Sequence, residues 1–398
     1  MSEKMRRVEL RSGLFWRLAL LALVYFIFVF CSLAVIGLLP VMAIDWAVPQ
    51  ESLAWLVTSF SVAFVVGAFA NALWLQRCAL RRVLVMGLFG LALGAFALAV
   101  ATTPFWANVA RGVQGFSAAL MGPTASVYAL LLSPIAFRGR ALGMVFSGTT
   151  VAIVIGVPLA AWMGELLPWR TVFIGVAAAA ALMMLIVPLA LPSGQRSQND
   201  HAGMFGLFQT MRQAEVTLAL LSMLLRMAAQ FACYTLIGKL VVDRFGWDPG
   251  KIPAVLLIYG VAGVLGNLIA GWWTDRYGQV PALRWSGVAL SVGYAALILA
   301  PQEATDWLSW GVIGYWGIAS VLFASPQQAF LASRPAPVVV AIALSMNAAA
   351  LYAGMAVGSG LAGSIWMAFG LDVLLWVAFL LSVLAVAASE MSFRARRM

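Results

Sequence analysis

Apolar residues along this chain come in long unbroken runs, not in alternation. Twelve runs are legible, at about 15–40, 52–75, 82–101, 105–132, 140–164, 170–192, 216–241, 251–273, 281–300, 307–332, 337–367 and 371–389. A helix needs roughly 20 mostly apolar residues to cross a bilayer, and each run is about that long or longer. Continuous runs favour helices over the alternating strands of a barrel, the other backbone that satisfies itself in lipid. Most polar breaks between runs are short. The longest, 193–214, follows the sixth run and holds the single histidine, His201. The pattern predicts an all-α membrane protein of twelve transmembrane helices. Residues 1–192 and 215–398 form two pseudo-symmetric six-helix bundles around a central cavity, joined by the 193–214 linker.

Composition removes the soluble alternative. The chain is 64% hydrophobic and 10% charged, with a mean hydropathy of +0.99. Soluble domains carry about 25% charged residues. A globule of this composition would expose large apolar patches to water, so the lipid bilayer is the expected partner. A net charge of +10 can signal nucleic-acid binding, but the basic residues sit in short loops between apolar runs, which is an orientation signal. With the N-terminus in the cytoplasm, eighteen Lys and Arg residues fall inside and four outside, namely Arg170, Lys239, Arg244 and Lys251. Both termini are therefore expected in the cytoplasm of a bacterial inner membrane, with no nucleic-acid partner. The first run is too long for a cleaved leader and reads as a spanning helix. Cys31, Cys78 and Cys233 lack ligand spacing, and neither metal nor cofactor is implied.

A weak repeat supports the two halves. Leu73-Trp-Leu-Gln76-Arg77-Cys-Ala79 follows the second run and Trp272-Trp-Thr-Asp275-Arg276-Tyr-Gly278 the eighth. Gln76 and Asp275 lie 275 − 76 = 199 residues apart, half the chain. Gly271-Trp-Trp-Thr-Asp275-Arg276-Tyr-Gly278 resembles the G-x-x-x-D-R-x-G signature loop of the major facilitator superfamily. That resemblance implies a gate motif of Asp275, Arg276 and Gly278. Its first-half copy is degenerate: Gln76 replaces the acid, and Arg77 and Arg81 remain. The plain alternative for both loops is cytoplasmic anchoring by basic residues.

Other stretches extend the likeness over nearly the whole chain. Arg111-Gly-Val-Gln114-Gly115 resembles the family's R-x-x-Q-G motif, whose arginine is linked to proton coupling; the alternative is an arginine snorkelling to the outer interface. Gly148, Ala152, Gly156, Ala160 and Gly164 recur every fourth residue on the fifth run. Small residues so spaced let helices meet backbone to backbone. Gly156-Val-Pro158 resembles the family's antiporter motif, which implies a pliable interface between halves. A generic packing stripe is the alternative. Gly37-Leu-Leu-Pro40 and Trp169-Arg170 are similar to the drug/proton antiporter-1 group, in particular its arabinose-efflux, sugar-efflux and nucleoside-efflux members. The resemblance implies a monomeric exporter, associated with sugar efflux or drug resistance, working by alternating access with protons as partners.

One departure stands out. Such relatives carry an acid in the first helix, where this chain has Phe30-Cys31-Ser32-Leu33. All fourteen acidic residues fall in tails, loops or helix ends. Glu165 and Asp45, near outer helix ends, are the nearest coupling candidates besides Arg111 and Gln114. In the seventh run Arg226, Gln230 and Tyr234 are spaced i, i+4, i+8 and share a face. Arg226 lies roughly 15 Å into the span, at the depth of transporter sites. It either faces a wet cavity, where it would attract an anion, or is satisfied by carbonyls and hydroxyls between helices. Ser32, Asn347 and Tyr315 are further cavity candidates. No Walker loop, H-E-x-x-H, C-x-x-C or G-x-S-x-G element occurs, so an ATP-driven pump and an enzyme are disfavoured. The expectation is a secondary transporter exporting a small polar or amphipathic solute (sugar, nucleoside or drug-like) by proton antiport. The alternative is an organic-anion exporter or an uncoupled facilitator using Arg226.

Overall fold

The computed structural model describes residues 3–73, 78–193, 210–301, 305–333 and 337–396. These residues are helical nearly throughout, as a lipid-exposed backbone demands. The helices are α1 (Glu3–Trp46), α2 (Trp55–Leu73), α3 (Leu80–Ala99), α4 (Pro104–Leu132), α5 (Arg138–Leu166) and α6 (Arg170–Ala190). The second half holds α7 (Ala214–Tyr234), α8 (Ile252–Tyr277), α9 (Gln279–Leu299) and α10 (Asp306–Ala332). The last helical stretch, Pro337–Ala395, is broken at Gly370, whose φ of 85° and ψ of 179° are non-helical. That conformation is nearly exclusive to glycine, and it divides the stretch into α11 (337–369) and α12 (371–395). Among the described residues these make twelve spans, as the apolar runs predict, with a turn at Leu322–Phe323 inside α10.

Two elements differ from expectation. α1 runs well past the apolar run at both ends, and Pro40 lies inside it. The seventh run is not one helix. α7 ends at Tyr234, and a separate segment, Ile237–Phe245, completes the crossing before Gly246 stops it in the left-handed conformation.

An even number of crossings puts the start of α1, the end of α6, the start of α7 and the end of α12 on one face, here the linker face. Residues 194–209, with His201, lie outside the described residues, as do Gln76 and Arg77.

Small residues set the packing in each half, and do so with matching geometry. A Cβ on Gly148, Gly156 or Gly164 of α5 would meet Ala22, Phe30 or Leu38 of α1. In the second half Gly354 and Gly358 of α11 meet the Leu224 and Ala228 carbonyls of α7. Gly67 of α2 lies against the Phe116 carbonyl of α4, and Gly266 of α8 against the Ile318 carbonyl of α10. Without a hydrophobic driving force between helices in lipid, such close backbone approach supplies the cohesion.

Each half is also clamped at the face opposite the linker. Asp45 at the end of α1 accepts from Arg170 (2.6 Å) and Trp169 (3.2 Å) before α6, and Arg170 reaches the Ala101 carbonyl after α3. Arg244 beyond α7 binds Asp372 at the start of α12 (3.3 Å) and the Ile298 and Ala300 carbonyls at the end of α9. The same three helix ends are joined in each half, with acid and base exchanged. The offset found in the sequence repeat separates Asp45 from Arg244 and Ala101 from Ala300.

The halves meet toward the opposite face. Thr58 of α2 and Ser359 of α11 share a hydrogen bond of 2.8 Å. Lys239 pairs with Glu51, in the turn before α2, at 3.5 Å. A Cβ on Gly260 of α8 would lie 3.0 Å from the Ile153 carbonyl of α5. Ile153 belongs to a π-helical turn, Ala152–Gly156, which bulges the α5 backbone at this contact. Toward the linker face the same two helices part. A Cβ on Gly139 or Gly143 of α5, or on Gly271 of α8, would meet no neighbouring heavy atom within 4 Å. Asn267, well inside α8, is exposed. The cleft between the halves opens on the linker face.

Candidate functional site

Arg111 sits a quarter of the way along α4 and is fully buried. Its Nε donates to the Leu56 carbonyl (3.0 Å), one terminal nitrogen to the Cys31 carbonyl (2.8 Å) and the Gln114 amide oxygen (2.7 Å), and the other to the Ser32 carbonyl (2.9 Å). The guanidinium lies 4.4 Å from the Phe60 ring centre. Gln114, also fully buried, passes the network on to the Gly94 carbonyl at 3.0 Å. The planar fork of an arginine thus ties α4 to α1, α2 and α3. No carboxylate is among its partners, so backbone dipoles solvate the cation. The snorkelling alternative does not hold for Arg111: the side chain ends among carbonyls, not at an interface.

Above this network the halves touch through rings. Tyr352, midway along α11, stacks on Phe64 of α2 with centroids 3.5 Å apart and planes at 18°. Phe60 lies 6.3 Å away, and the Tyr352 hydroxyl lies beside the Ser32 side chain. Tyr25 of α1 donates to the Gly122 carbonyl (2.9 Å), shares a hydrogen bond with Ser126 (2.8 Å), and meets Phe146 edge to face.

In the second half the shared face of α7 divides. Arg226 is 1% exposed. Its donors go to Ser222, Ser286, the Leu283 carbonyl and Ser389, at 3.3 to 3.5 Å. Arg226 therefore points among α7, α9 and α12, inside its own half, where carbonyls and hydroxyls satisfy it. A cavity-facing cation is not what the structure holds. Each i+4 step rotates a side chain by about 40° around the helix, so Gln230 and Tyr234 face α8 instead. Gln230 donates to the Tyr259 hydroxyl (3.0 Å), which donates to Ser320 (2.8 Å). Tyr234 stacks on Tyr259 at 4.7 Å. Asn347 is buried beside Gln327, and Tyr315 donates to the Ala289 carbonyl of α9.

A sequence profile of the Major Facilitator Superfamily matches residues 21–341 and, in a second match, 218–397. The chain belongs to the Major Facilitator Superfamily. It is 27% identical to the uncharacterized MFS-type transporter YtbD of Bacillus subtilis (strain 168) over 263 residues, 66% of each chain. That stretch is just under two thirds of YtbD. With YbcL of the same organism, also an uncharacterized MFS-type transporter, identity is 24% over 317 residues, 79% of this chain and 80% of the relative. The fold is similar to that of a bacterial homologue of the human lysosomal transporter Spinster, in an inward-facing and unoccupied conformation. There the TM-score is 0.75 at 15% identity, covering 97% of both chains. It is also similar to the nucleoside transporter NupG, with TM-score 0.72 at 17% identity, covering 96% of this chain and 99% of that one. At these identities the structural likeness concerns the fold alone. Membership makes the chain a multi-pass membrane transporter protein, not an enzyme.

Within this superfamily chain the remaining sequence candidates fall as follows. Asp275 is exposed at the end of α8 and makes no hydrogen bond or ion pair among the described residues. Arg276 reaches Tyr277 (3.3 Å), and Gly278 takes φ 84° to turn the chain into α9. Arg81 donates to the Pro188 carbonyl at the end of α6 (3.1 Å). The glycine stripe of α5 faces α1 of its own half, and the interhalf contact is made by its neighbours Ile153 and Val154. Pro158 is buried in α5. Glu165 is exposed near Asp248 on the opposite face, and Asp45 is held in its clamp. Sequence reasoning missed Phe64, Glu51 and Lys239. No local signal pairs residues so far apart; an acid just before an apolar run was the only cue for Glu51.

Proposed function

We propose that this superfamily member exports a small polar or amphipathic solute from a bacterial cytoplasm by alternating access, coupled to proton influx. The carrying observation is the asymmetry of the seam: the halves touch toward the opposite face and part toward the linker face, one end state of a rocking cycle. The excess of basic residues on the linker side supports a cytoplasmic linker face and cytoplasmic termini. In this reading residues 1–192 and 215–398 are the moving halves and 193–214 their tether, and one chain suffices. Asp275, Arg276 and Gly278, with Gln76, Arg77 and Arg81, form the linker-side gate, closed in the other state. Arg111 and Gln114 relay between α1, α2 and α3 as the halves move. A sugar, nucleoside or drug-like solute fits a seam lined by rings and hydroxyls, and the fold shared with NupG agrees with the nucleoside option.

An uncoupled facilitator is the second reading. Its support is that every described carboxylate lies at a helix end or in a loop. Counterflow in proteoliposomes, with and without an imposed pH gradient, separates the two. Antiport requires exchange that accelerates with the gradient; indifference to it leaves the facilitator. The organic-anion variant loses support from the burial of Arg226 among neutral acceptors.

A further inference from the structure

We infer that the solute carries a neutral flat ring, which enters from the linker-face cleft and inserts between Tyr352 and Phe64 as the opposite face opens. This rests on the transporter reading above and narrows it to a substrate class.

The first argument is charge. The two arginines embedded in the helices, Arg111 and Arg226, are both sealed inside their own halves, at 0% and 1% exposure. All their described donors are engaged by carbonyls, hydroxyls or the Gln114 amide. No described carboxylate lies in the middle of a helix. An ion placed there would be desolvated without a counter-charge, which is costly. A neutral solute meets no such cost.

The second argument is shape. Tyr352 and Phe64 are near-parallel rings on different halves, each near the middle of its helix. Their helices, α11 and α2, touch toward the opposite face through Thr58 and Ser359. Motion that opens that face parts the two rings and exposes the face that each turns toward the other. Two such faces form a slot for a third flat ring, because offset stacking is the favoured arrangement of aromatic pairs. Tyr352 is only half-buried in this state. The Ser32 side chain, beside the Tyr352 hydroxyl, is positioned to hydrogen-bond a polar substituent on the inserted ring.

The test uses the purified full chain and three probes. Adenosine is neutral with a flat ring, glucose is neutral without one, and benzoate is a flat anion. Thermal shift and proteoliposome counterflow are measured on wild type, Tyr352→Leu, Phe64→Leu and Tyr352→Phe. Adenosine should raise the melting midpoint and exchange. Both leucine variants should weaken it at least tenfold, and Tyr352→Phe, which keeps the ring, should stay within about threefold of wild type. Should the leucine variants fail to fold, the probe ranking on wild type still decides. Exchange of glucose or benzoate alone, or adenosine exchange equal in wild type and the folded leucine variants, overturns the flat-ring inference and leaves the transporter reading intact. If none of the probes acts, the inference also falls, and the transporter reading is then judged by the interspin distances proposed below.

Discussion

The Lys239 ammonium lies 3.5 Å from the Glu51 carboxylate, and this is the one ion pair between the halves among the described residues. Lys239 also pairs with Asp243 of its own segment at 3.0 Å, and the Trp366 ring of α11 lies 5.5 Å away. Glu51 is covered from the other side: its carbonyl is 2.6 Å from the Cβ position of Gly363. The pair thus bridges the seam where it is closed. A part-exposed pair is worth about 0.2–1 kcal/mol, so it biases the cycle without locking it. Glu51→Gln should raise the population open on the opposite face by a few-fold. The charge-swapped double variant, Glu51→Lys with Lys239→Glu, should recover less than the full effect, because it removes the partner of Asp243 and sets a like charge beside it. Cysteine labelling from the opposite side reads both.

Gly260 and Gly115 distinguish seam from fold. A Cβ at Gly260 would press on Ile153 of the other half, whereas one at Gly115 would strike the Phe60 backbone of its own half. Gly260→Val should keep the melting midpoint within a few degrees and open the opposite face. Gly115→Val should destabilise the protein by about 1–3 kcal/mol or more, seen as a fall in the midpoint and in yield.

Asp275 in the last turn of α8 and Gly278 just after it predict different outcomes. Asp275 has no described partner in this state, so Asp275→Asn should leave the midpoint unchanged and slow exchange if the acid closes the linker-side gate. Gly278 adopts φ 84° and ψ 166°, a conformation that costs other residues of order 1–3 kcal/mol. Gly278→Ala should lower the midpoint whatever its effect on exchange.

Arg111→Lys keeps the charge and loses the fork. Lysine cannot satisfy the Leu56, Cys31, Ser32 and Gln114 acceptors together. Each charged hydrogen bond is worth about 1.5–3 kcal/mol, so the midpoint should fall by several degrees. Arg226→Lys loses longer bonds and should fall less. Differential scanning fluorimetry of the two variants gives the ranking.

The fold was nearly all legible from the apolar runs, because lipid leaves a chain few options. Even the break between α11 and α12 shows as a gap in the runs around Gly370. The site was harder to read. The i, i+4, i+8 spacing put Arg226 with Gln230 and Tyr234, and only tertiary packing shows that the 40° drift sends the first into α9 and α12 and the others to α8. The glycine stripe of α5 announced a close helix contact, while its partner, α1 and not the other half, is set by topology. Phe64 meets Tyr352 and Glu51 meets Lys239 from opposite halves of the chain, which no local spacing encodes. Arg111 read as an embedded arginine and is one, but its carbonyl ligands carry no side-chain signature.

The central claim is that the halves rock about the seam. Spin labels at Gly139→Cys and Gly271→Cys report the linker face, where both positions have open space. Labels at Leu166→Cys and Trp307→Cys, both exposed, report the opposite face. Pulsed electron–electron double resonance on the two pairs in lipid, across a range of pH and with Glu51→Gln, is the most direct measurement. The account predicts two populations whose distances change in opposite senses, the linker-face pair shortening as the opposite-face pair lengthens. A single fixed distance for both pairs under every condition, or both lengthening together, would contradict it.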